Sequence, residues 1–196
     1  MSRPLKVAIV YPSGDMLHAQ FCGSLVNLVA FSASLGIQVS IINPRCSLVQ
    51  IGRLIGVETA IANGFDKILF IDSDQTFSHD ALKRLLDAKK DIIGAASLTR
   101  KEPIQYTCKD EQGERIDFSN KEGLVKVHTN GFPMTLIDCS VFTKIEKPYF
   151  DVSYNKETNR WTGEDESFCH AARKQGYDIW IDADVKVGHL GIKEYI

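Results

Sequence analysis

The chain has 196 residues, of which 44% are hydrophobic and 24% are charged, and its formal net charge is −2. This composition is typical of a single domain with a substantial core, and the small net charge predicts no general attraction to nucleic acid or to a membrane surface. No apolar run is long enough to predict a transmembrane segment. The five cysteines are scattered and form no C-x-x-C pair, so they favour neither a disulfide framework nor a zinc site. Because the first residues also lack a secretory signal pattern, we expect a cytoplasmic protein.

The first half of the chain alternates short apolar runs with segments of helical spacing. The apolar runs predict four strands, at residues 5–11, 37–42, 67–71 and 91–95. The helical segments lie between these strands, at about 16–35, 48–63 and 81–88. Strands that alternate with helices in this way predict a parallel sheet with right-handed crossovers.

The second half is richer in charged residues, Gly and Asn, and it predicts a less regular structure. Antiparallel strands and turns are expected over 100–130, with apolar pieces at 104–107 and 124–127, and a polar, mobile loop is expected at 154–161. The remaining predicted elements are a strand at 132–138, a short helix at 141–145, a helix at 164–175, a strand at 178–182 and a tail at 185–191. No linker separates these parts. We therefore predict one α/β domain over 1–196, with a mostly parallel central sheet flanked by helices and a small antiparallel region in the second half.

One stretch, from Lys67 to Phe77, ends an apolar strand abruptly in two acids. Asp72 and Asp74 are two residues apart, so continued extended geometry would point both carboxylates to the same side. Two carboxylates this close repel each other, and a divalent cation would remove the repulsion by taking their oxygens as ligands. Ligands of open α/β sheets bind at the carboxyl ends of the strands. We therefore favour a functional site here over the alternative that Asp74 or Ser78 only caps the following helix.

A second group of polar residues lies near the end of the chain. Three acids at Glu164–Glu166 open a predicted helix, where the helix dipole favours negative charge. The dipole accounts for one or two of these acids, but not for their position directly after a loop that contains Trp161. His189 lies in a Gly-His-Leu-Gly segment. Together with Asp74 it could complete an oxygen and imidazole site for Mn²⁺ or Mg²⁺.

These groups, in this order along nearly the whole chain, resemble the motifs of GT-A fold glycosyltransferases. The motifs are Asp72-Ser73-Asp74, Asn130-Gly131-Phe132, Glu164-Asp165-Glu166-Ser167-Phe168-Cys169, Gly176-Tyr177-Asp178-Ile179-Trp180-Ile181-Asp182 and Gly188-His189-Leu190-Gly191. They are most similar to the inverting, family-2-like enzymes, including compact bacterial and viral members. The resemblance implies transfer of a sugar from a nucleotide-diphosphate sugar to an acceptor hydroxyl, with inversion and with Mn²⁺ or Mg²⁺. It also implies that residues 1–99 bind the nucleotide sugar and that residues 100–196 carry acceptor binding and catalysis.

The resemblance further implies roles for individual residues. Asp74 and His189 would bind the metal, together with Asp72, which would also lie near the ribose of the donor. Asp165 would be the general base that takes the proton of the attacking hydroxyl. The other donor-binding residues would be Tyr11, Pro12, Arg53, Ser73, Arg100 and Lys101. The residues near the transferred sugar or the acceptor would be Asn130, Gly131, Trp161 and Glu164.

The resemblance leaves the nucleotide base and the acceptor open. Many relatives carry an acidic pair after the second strand that contacts the base, and this chain has Asn43-Pro44-Arg45 there. The expected donor is a UDP- or GDP-sugar, with the choice of base left open. The expected acceptor is a glycan, a lipid-linked molecule or a protein, and no role for nucleic acid is expected.

Two other interpretations fit parts of the sequence. Asp72-Ser73-Asp74-Gln75-Thr76 also matches the nucleophile motif of haloacid-dehalogenase-like phosphatases, in which Asp72 would form an aspartyl phosphate and Asp74 would act as acid and base. That motif normally follows the first strand, whereas two βα units precede it here. The chain could also be a GT-A-like subunit that binds nucleotide or glycan without turnover. The presence of Asp74, Asp165 and His189 together argues against such a loss of the site.

Overall fold

The helices and strands of the computed structural model, which describes residues 3–191, follow the apolar patterns of the sequence. The helices are α1 (Ala19–Ser34), α2 (Val49–Ala62), α3 (Ala81–Asp87) and α4 (Glu164–Lys174), and a 3₁₀ turn spans Cys139–Thr143. The strands are β1 (Lys6–Val10), β2 (Gln38–Ile42), β3 (Lys67–Ile71), β4 (Gln75–Phe77), β5 (Ile92–Ala96), β6 (Leu124–Val127), β7 (Met134–Asp138), β8 (Ser153–Asn155), β9 (Arg160–Thr162) and β10 (Ile179–His189). Within the described residues, none of the helices combines the length and the apolar character that a membrane crossing requires.

Eight strands form one sheet in the order β2-β1-β3-β7-β5-β10-β4, and β6 pairs with the first part of β10. Strands β1, β2, β3, β5 and β10 run in one direction, and β7 runs antiparallel between β3 and β5. The expected α/β fold with a mostly parallel sheet is therefore confirmed. The insertion of β7 was not predicted, because a strand pattern does not specify direction. It places a segment of the second half at the centre of the sheet.

The helices cover both faces of this sheet and form two apolar layers. On one face, α1 and α3 pack against alternate residues of β1 such as Val7 and Ile9. On the other face, α2 and α4 pack against the intervening residues, such as Val10. A Cβ atom on Gly56 of α2 would lie 2.3 Å from the Val10 side chain, so glycine allows this helix to approach the sheet closely. The expectation that helices flank the sheet is met on both faces.

The second half contains most of the differences from the expected elements. Residues 104–107 form no strand and make only an isolated bridge through Tyr106. The expected polar loop at 154–161 is instead the hairpin of β8 and β9, because Tyr154 and Trp161 form a cross-strand aromatic pair with ring centroids 5.1 Å apart. The expected strand at 178–182 continues into the tail as the single strand β10.

Strand β10 changes its neighbours along its length. Its first part pairs with β5 and β6, the register to β5 shifts between Asp182 and Lys186, and the final part pairs with β4. In that final part His189 lies opposite Gln75. The backbone N–H of Leu190 then donates to the carbonyl oxygen of Asp74 over 2.8 Å. The irregular strand therefore brings the end of the described chain beside the acids that follow β3.

Candidate functional site

A cleft of about 360 Å³ opens where β1 and β3 end, and we call it the central cleft. Its walls come from seven separate parts of the sequence: the end of β1, helix α2, the turn after β3, the segments around residues 100 and 131, the start of α4 and the end of β10. The lining residues are Pro12, Val49, Arg53, Asp72, Ser73, Asp74, Arg100, Gly131, Glu164 and His189. All but Val49 are residues that the sequence analysis singled out.

The two acids after β3 do not continue the strand. The chain turns at Ser73 and Asp74, and the N–H of Gln75 donates to the carbonyl oxygen of Asp72 over 3.2 Å. The condition under which both carboxylates would point to the same side is therefore not met. Instead, Asp72 is paired with Arg53 and Asp74 is paired with Arg100.

On one side of the cleft, the buried side chain of Arg53 joins two partly exposed acids. Only 3% of its side chain is exposed, and its guanidinium lies 2.9 Å from Asp72 Oδ1 and 2.7 Å from Glu164 Oε1. The same guanidinium lies over the ring of Phe132, 5.1 Å from the ring centroid. Two charge-assisted hydrogen bonds and an aromatic face compensate for the loss of water around this cation. Arg53 therefore holds the turn after β3 against the first residue of α4.

The carboxylates on this side have altered acidity. Burial raises the pKa of Asp72 to about 6, and the charges of Asp74 and Glu164 raise it further against the opposing effect of Arg53. Burial also raises the pKa of Asp165 above its usual range, with a further contribution from the charge of Glu164. A carboxylate with a raised pKa is a stronger base, which is the property that a general base requires.

On the other side of the cleft, Arg100 and His189 meet Asp74 in a more open setting. The Arg100 side chain is 50% exposed, and its guanidinium lies 3.1 Å from Asp74 Oδ2 and donates to the carbonyl oxygen of Leu190. The Nδ1 atom of His189 lies 2.8 Å from the carbonyl oxygen of Leu98. A carbonyl oxygen only accepts, so Nδ1 is the donor of that bond. The other ring nitrogen, Nε2, lies 3.3 Å from Asp74 Oδ2.

The Asp74 and His189 pair fits a divalent cation. Two ligands that each lie about 2.1 Å from one ion at right angles are about 3 Å apart, close to the observed separation of Oδ2 and Nε2. A backbone carbonyl that accepts from Nδ1 is the usual arrangement behind a metal-binding histidine, because it orients the ring and leaves Nε2 free. Among residues 3–191 no three His, Cys, Asp or Glu side chains are placed to hold a metal together. Mn²⁺ or Mg²⁺ would therefore take its other ligands from phosphate and water, as Mg²⁺ commonly does.

Asp165 lies at the start of α4, next to the cleft residue Glu164. Its Oδ1 atom accepts a hydrogen bond of 2.8 Å from the backbone N–H of Glu166. A Cβ atom at position 163 would lie 2.7 Å from the same oxygen, so Gly163 makes room for the carboxylate at the helix N-terminus. A side chain at position 163 would therefore displace the Asp165 carboxylate from its present position.

Four other residues assigned to the site do not line the central cleft. Tyr11 is buried and packs edge-on against Phe21, while Lys101 is exposed beside Arg100. Trp161 projects from the β8–β9 hairpin with 66% of its surface exposed. Their roles remain predictions.

The fourth of these residues, Asn130, is buried, and its side-chain amide donates to Thr135 Oγ1 over 2.8 Å. The same amide packs directly against Gly94, where a Cβ atom would lie 2.4 Å from Asn130 Nδ2. Next to it, a Cβ atom on Gly131 would lie 2.7 Å from Thr107. The Asn-Gly pair therefore fixes the backbone of the cleft wall through contacts inside the protein.

Phe132 supports Arg53, and the sequence pattern does not reveal this role. Phe132 is fully buried and has a φ of +58°, which is rare for a residue with a side chain. The left-handed backbone at this position turns the ring under the guanidinium. Only a tertiary contact reveals this role, because nothing in the local sequence pattern marks the φ value.

No protein-family model matches the chain, and no curated protein matches its sequence. The structure resembles solved structures at low sequence identity. A197 from STIV is 16% identical, with a TM-score of 0.61 over 96% of this chain and 87% of A197. A Drosophila β-1,4-galactosyltransferase 7 mutant in complex with manganese, UDP-Gal and xylobiose is 14% identical, with a TM-score of 0.58 over 96% of this chain and 71% of that chain. A UDP-glucose pyrophosphorylase in complex with UDP-glucose is 11% identical, with a TM-score of 0.53 over 93% and 92%. This chain therefore has a GT-A-like fold, of the type found in glycosyltransferases and nucleotidyltransferases.

Proposed function

We propose that this protein transfers a sugar from a nucleotide-diphosphate sugar to an acceptor hydroxyl, with inversion at the anomeric carbon. The observation that supports this most is the convergence of Asp72, Asp74, Arg53, Glu164 and His189 in one cleft at the carboxyl ends of the strands. Bringing these charged side chains together costs desolvation free energy, and recognition of a charged ligand is a common reason for such a cluster in a cleft. The GT-A-like fold supports the same class of substrate, although fold by itself does not establish activity.

In this proposal, Asp74 and His189 hold Mn²⁺ or Mg²⁺. When bound, the cation acts as a Lewis acid that stabilises the negative charge of the leaving diphosphate. Arg100 lies beside the same carboxylate, with half of its side chain accessible, so it is able to turn toward a phosphate. Arg53 is already bound to two acids and instead keeps Asp72 in place near the ribose.

The acceptor hydroxyl attacks the anomeric carbon as the bond between that carbon and the diphosphate oxygen breaks. The electrons of the broken bond leave with the nucleoside diphosphate, and Asp165 takes the proton of the hydroxyl. A single displacement of this kind inverts the anomeric centre and needs one base, whereas glycoside hydrolases use two carboxylates. The raised pKa of Asp165 supports this assignment.

The first test is nucleotide binding with and without metal. UDP, GDP and their sugar derivatives should raise the melting temperature in the presence of Mn²⁺ and much less in EDTA. Asp74→Asn should remove the difference between the two conditions. If nucleotide raised the melting temperature equally in Mn²⁺ and in EDTA, the metal would have no role in donor binding and the proposal would be contradicted on that point.

The second test is turnover of the donor that stabilises the protein most. Proton NMR of the product should show an inverted anomeric centre, and a retained centre would contradict the direct displacement. Metal-dependent stabilisation without turnover of any donor and acceptor would support a GT-A-like binding subunit. Release of pyrophosphate from a nucleoside triphosphate and a sugar phosphate would support nucleotidyl transfer instead. The phosphatase interpretation gains no support from the fold, because the Asp72 to Thr76 segment follows β3 and Asp72 is paired with buried Arg53.

A further inference from the structure

The strand at one edge of the sheet lies in a long segment without charged residues. The segment from Met16 to Pro44 contains no Asp, Glu, Lys or Arg, although 24% of the chain is charged. It includes α1 and the whole of β2, which is the first strand in the sheet order. The two charges that bound the segment, Asp15 and Arg45, form an ion pair with each other. The edge of the sheet is therefore uncharged along its full length.

Strand β2 is also unprotected on its outer side. Within residues 3–191 its strand partner is β1 alone, so one row of backbone groups along β2 has no strand beside it. Natural proteins usually block such edges with charges, prolines or bulges, because an open edge pairs readily with another strand. The five residues from Gln38 to Ile42 contain no charge and no proline, and their register with β1 is continuous. Nothing in the strand itself prevents a further strand from joining.

The hydrogen bonds to β1 show which groups point outward. The N–H of Gln38 donates to Leu5, and the carbonyl oxygen of Ile42 accepts from Tyr11. Because backbone direction alternates along a strand, the N–H and carbonyl groups of Val39 and Ile41 point away from β1. These two residues would form the hydrogen bonds to a strand added at this edge.

We propose that β2 pairs antiparallel with β2 of a second copy of this chain, around a twofold axis at Ser40. In this register, all five residues of each strand overlap, and Val39 of one copy lies opposite Ile41 of the other. These are the residues with outward backbone groups, so each copy both donates and accepts two hydrogen bonds. Their side chains lie on the same face of the strand and form an apolar cross-strand contact on each side of the axis. The inference does not depend on the proposed function.

The absence of charge favours a second copy over other occupants. A twofold axis places a surface against itself, so any charge near the axis meets a like charge, and the segment that forms this edge strand and α1 has none. Binding to an anionic membrane is favoured by Lys and Arg, which the segment also lacks. The exposed apolar side chain of Ile41 on β2 supplies surface that such an interface would bury.

The other exposed edge of the sheet provides a matched control. Strand β6 has four residues and carries Lys126, which forms an ion pair with Asp178 over 2.7 Å. Its residue Leu124 is 42% exposed, close to the 48% of Ile41. Leu124→Lys therefore replaces an apolar side chain of similar exposure, but at the opposite edge of the sheet.

The test is the association state of the full chain by sedimentation velocity over a wide concentration range. We expect a concentration-dependent dimer for the native sequence, and a dissociation constant at least about tenfold higher for Ile41→Lys. Leu124→Lys should leave the dissociation constant unchanged. A native chain that stays monomeric, or a dimer that Ile41→Lys does not weaken, would overturn the proposal.

Two further measurements keep the test valid if the lysine variant folds poorly. Ile41→Pro removes only an outward N–H, since Ile41 does not donate to β1, and it should also give a monomer. In the native dimer, hydrogen exchange should be slow at the amides of Val39 and Ile41, and it should become fast on dilution.

A disulfide tests the register of the two strands. Ser40→Cys should form a disulfide between copies, since opposed residues at such a position have Cα atoms about 4.5 Å apart. Ser34→Cys, at the exposed end of α1, should not, and a dimer with fast exchange at both amides would contradict the pairing.

Discussion

The two sides of the central cleft use the same pair of residue types in different surroundings. Arg53 is buried where it meets Asp72, with 3% of its side chain exposed, whereas the Asp72 side chain is 33% exposed. Arg100 and Asp74 meet at a similar distance, but half of the Arg100 side chain is exposed to solvent. A buried pair that loses one partner leaves an uncompensated charge, whereas an exposed pair exchanges its partner for water at little cost. We infer that the Arg53 side fixes the shape of the site and that the Arg100 side is free to change partners when a ligand binds.

The largest expected effect separates the chemical step from metal binding. In the proposed mechanism, Asp165 stands next to the Arg53 side, and the cation would be held on the Arg100 side. Asp165→Asn should lower the rate of sugar transfer by about 100- to 10,000-fold, because an amide cannot take the proton of the acceptor. Metal-dependent nucleotide binding, measured by calorimetry, should remain. Transfer at the native rate would remove Asp165 from the role of base.

The second expected effect is on stability. Arg53→Met should lower the free energy of unfolding by about 2–3 kcal/mol, because it removes two charge-assisted hydrogen bonds, to side chains that are 33% (Asp72) and 18% (Glu164) exposed. Arg100→Met is the matched control, and it should cost at most about 1 kcal/mol, as exposed ion pairs do. Urea unfolding of both variants measures the difference. Equal losses for the two variants would show that burial does not distinguish the two sides.

The third expected effect concerns the metal. The Arg100 guanidinium shares Asp74 Oδ2 with the proposed cation site. Removing its positive charge should therefore raise the affinity for Mn²⁺ alone by about tenfold, the equivalent of about 1.4 kcal/mol of repulsion between a single and a double charge about 6 Å apart in water. The same Arg100→Met change should weaken binding of a nucleoside diphosphate, because a phosphate partner is lost. Calorimetric titrations with each ligand would test the two opposite signs, and weaker binding of Mn²⁺ would refute the first of them.

The smallest expected effect repeats the contrast between buried and exposed groups away from the cleft. His128 is half-buried and His170 is exposed, and their rings are 5.5 Å apart. Burial lowers the pKa of His128, and Arg173 and His170 lower it further. In the window between this lowered pKa and the unfolded value of about 6.5, the unfolded chain binds more protons, so stability is lost as pH falls through it.

His128→Phe should therefore reduce the loss of unfolding free energy between about pH 7 and pH 5. His170→Phe is the control for the ring contact and should leave more of the pH dependence in place. Chemical denaturation at a series of pH values measures both. A steeper loss of stability at acid pH in His128→Phe would reverse the assignment.

The sequence predicted the elements that depend on local pattern. The apolar runs of β1, β2, β3 and β5 and the spacing of α1, α2 and α3 correspond to the observed elements, since period and composition determine them. Helix α1 begins at Ala19 rather than about residue 16, after His18 in extended conformation. Periodicity indicates the existence of a helix better than it indicates the ends.

The features that the sequence did not predict depend on distant contacts. The direction of β7 depends on its pairing with β3 and β5, and the β8–β9 hairpin depends on one aromatic pair within a polar stretch. The contact of Arg53 with Glu164 joins residues 111 positions apart. Asp72, Asp74 and His189 were found because acids after an apolar strand and a histidine among glycines are visible in the sequence. The pairing of each arginine with its acid is not visible in the sequence, because it depends on tertiary contacts such as the approach of α2 to β1.

The register shift in β10 restricts where residues can be deleted from the chain without disturbing the site. From Val187 to His189 the strand pairs with β4, and this pairing sets which side of the sheet the imidazole faces. Side chains alternate between faces, so deletion of one residue between Asp182 and Lys186 would turn the imidazole to the opposite face, away from the carboxylate of Asp74. A deletion of the same size in the exposed turn between β8 and β9 would leave that geometry intact. Homologous chains that keep this site should therefore vary in length at the hairpin and hold a constant number of residues across the irregular part of β10.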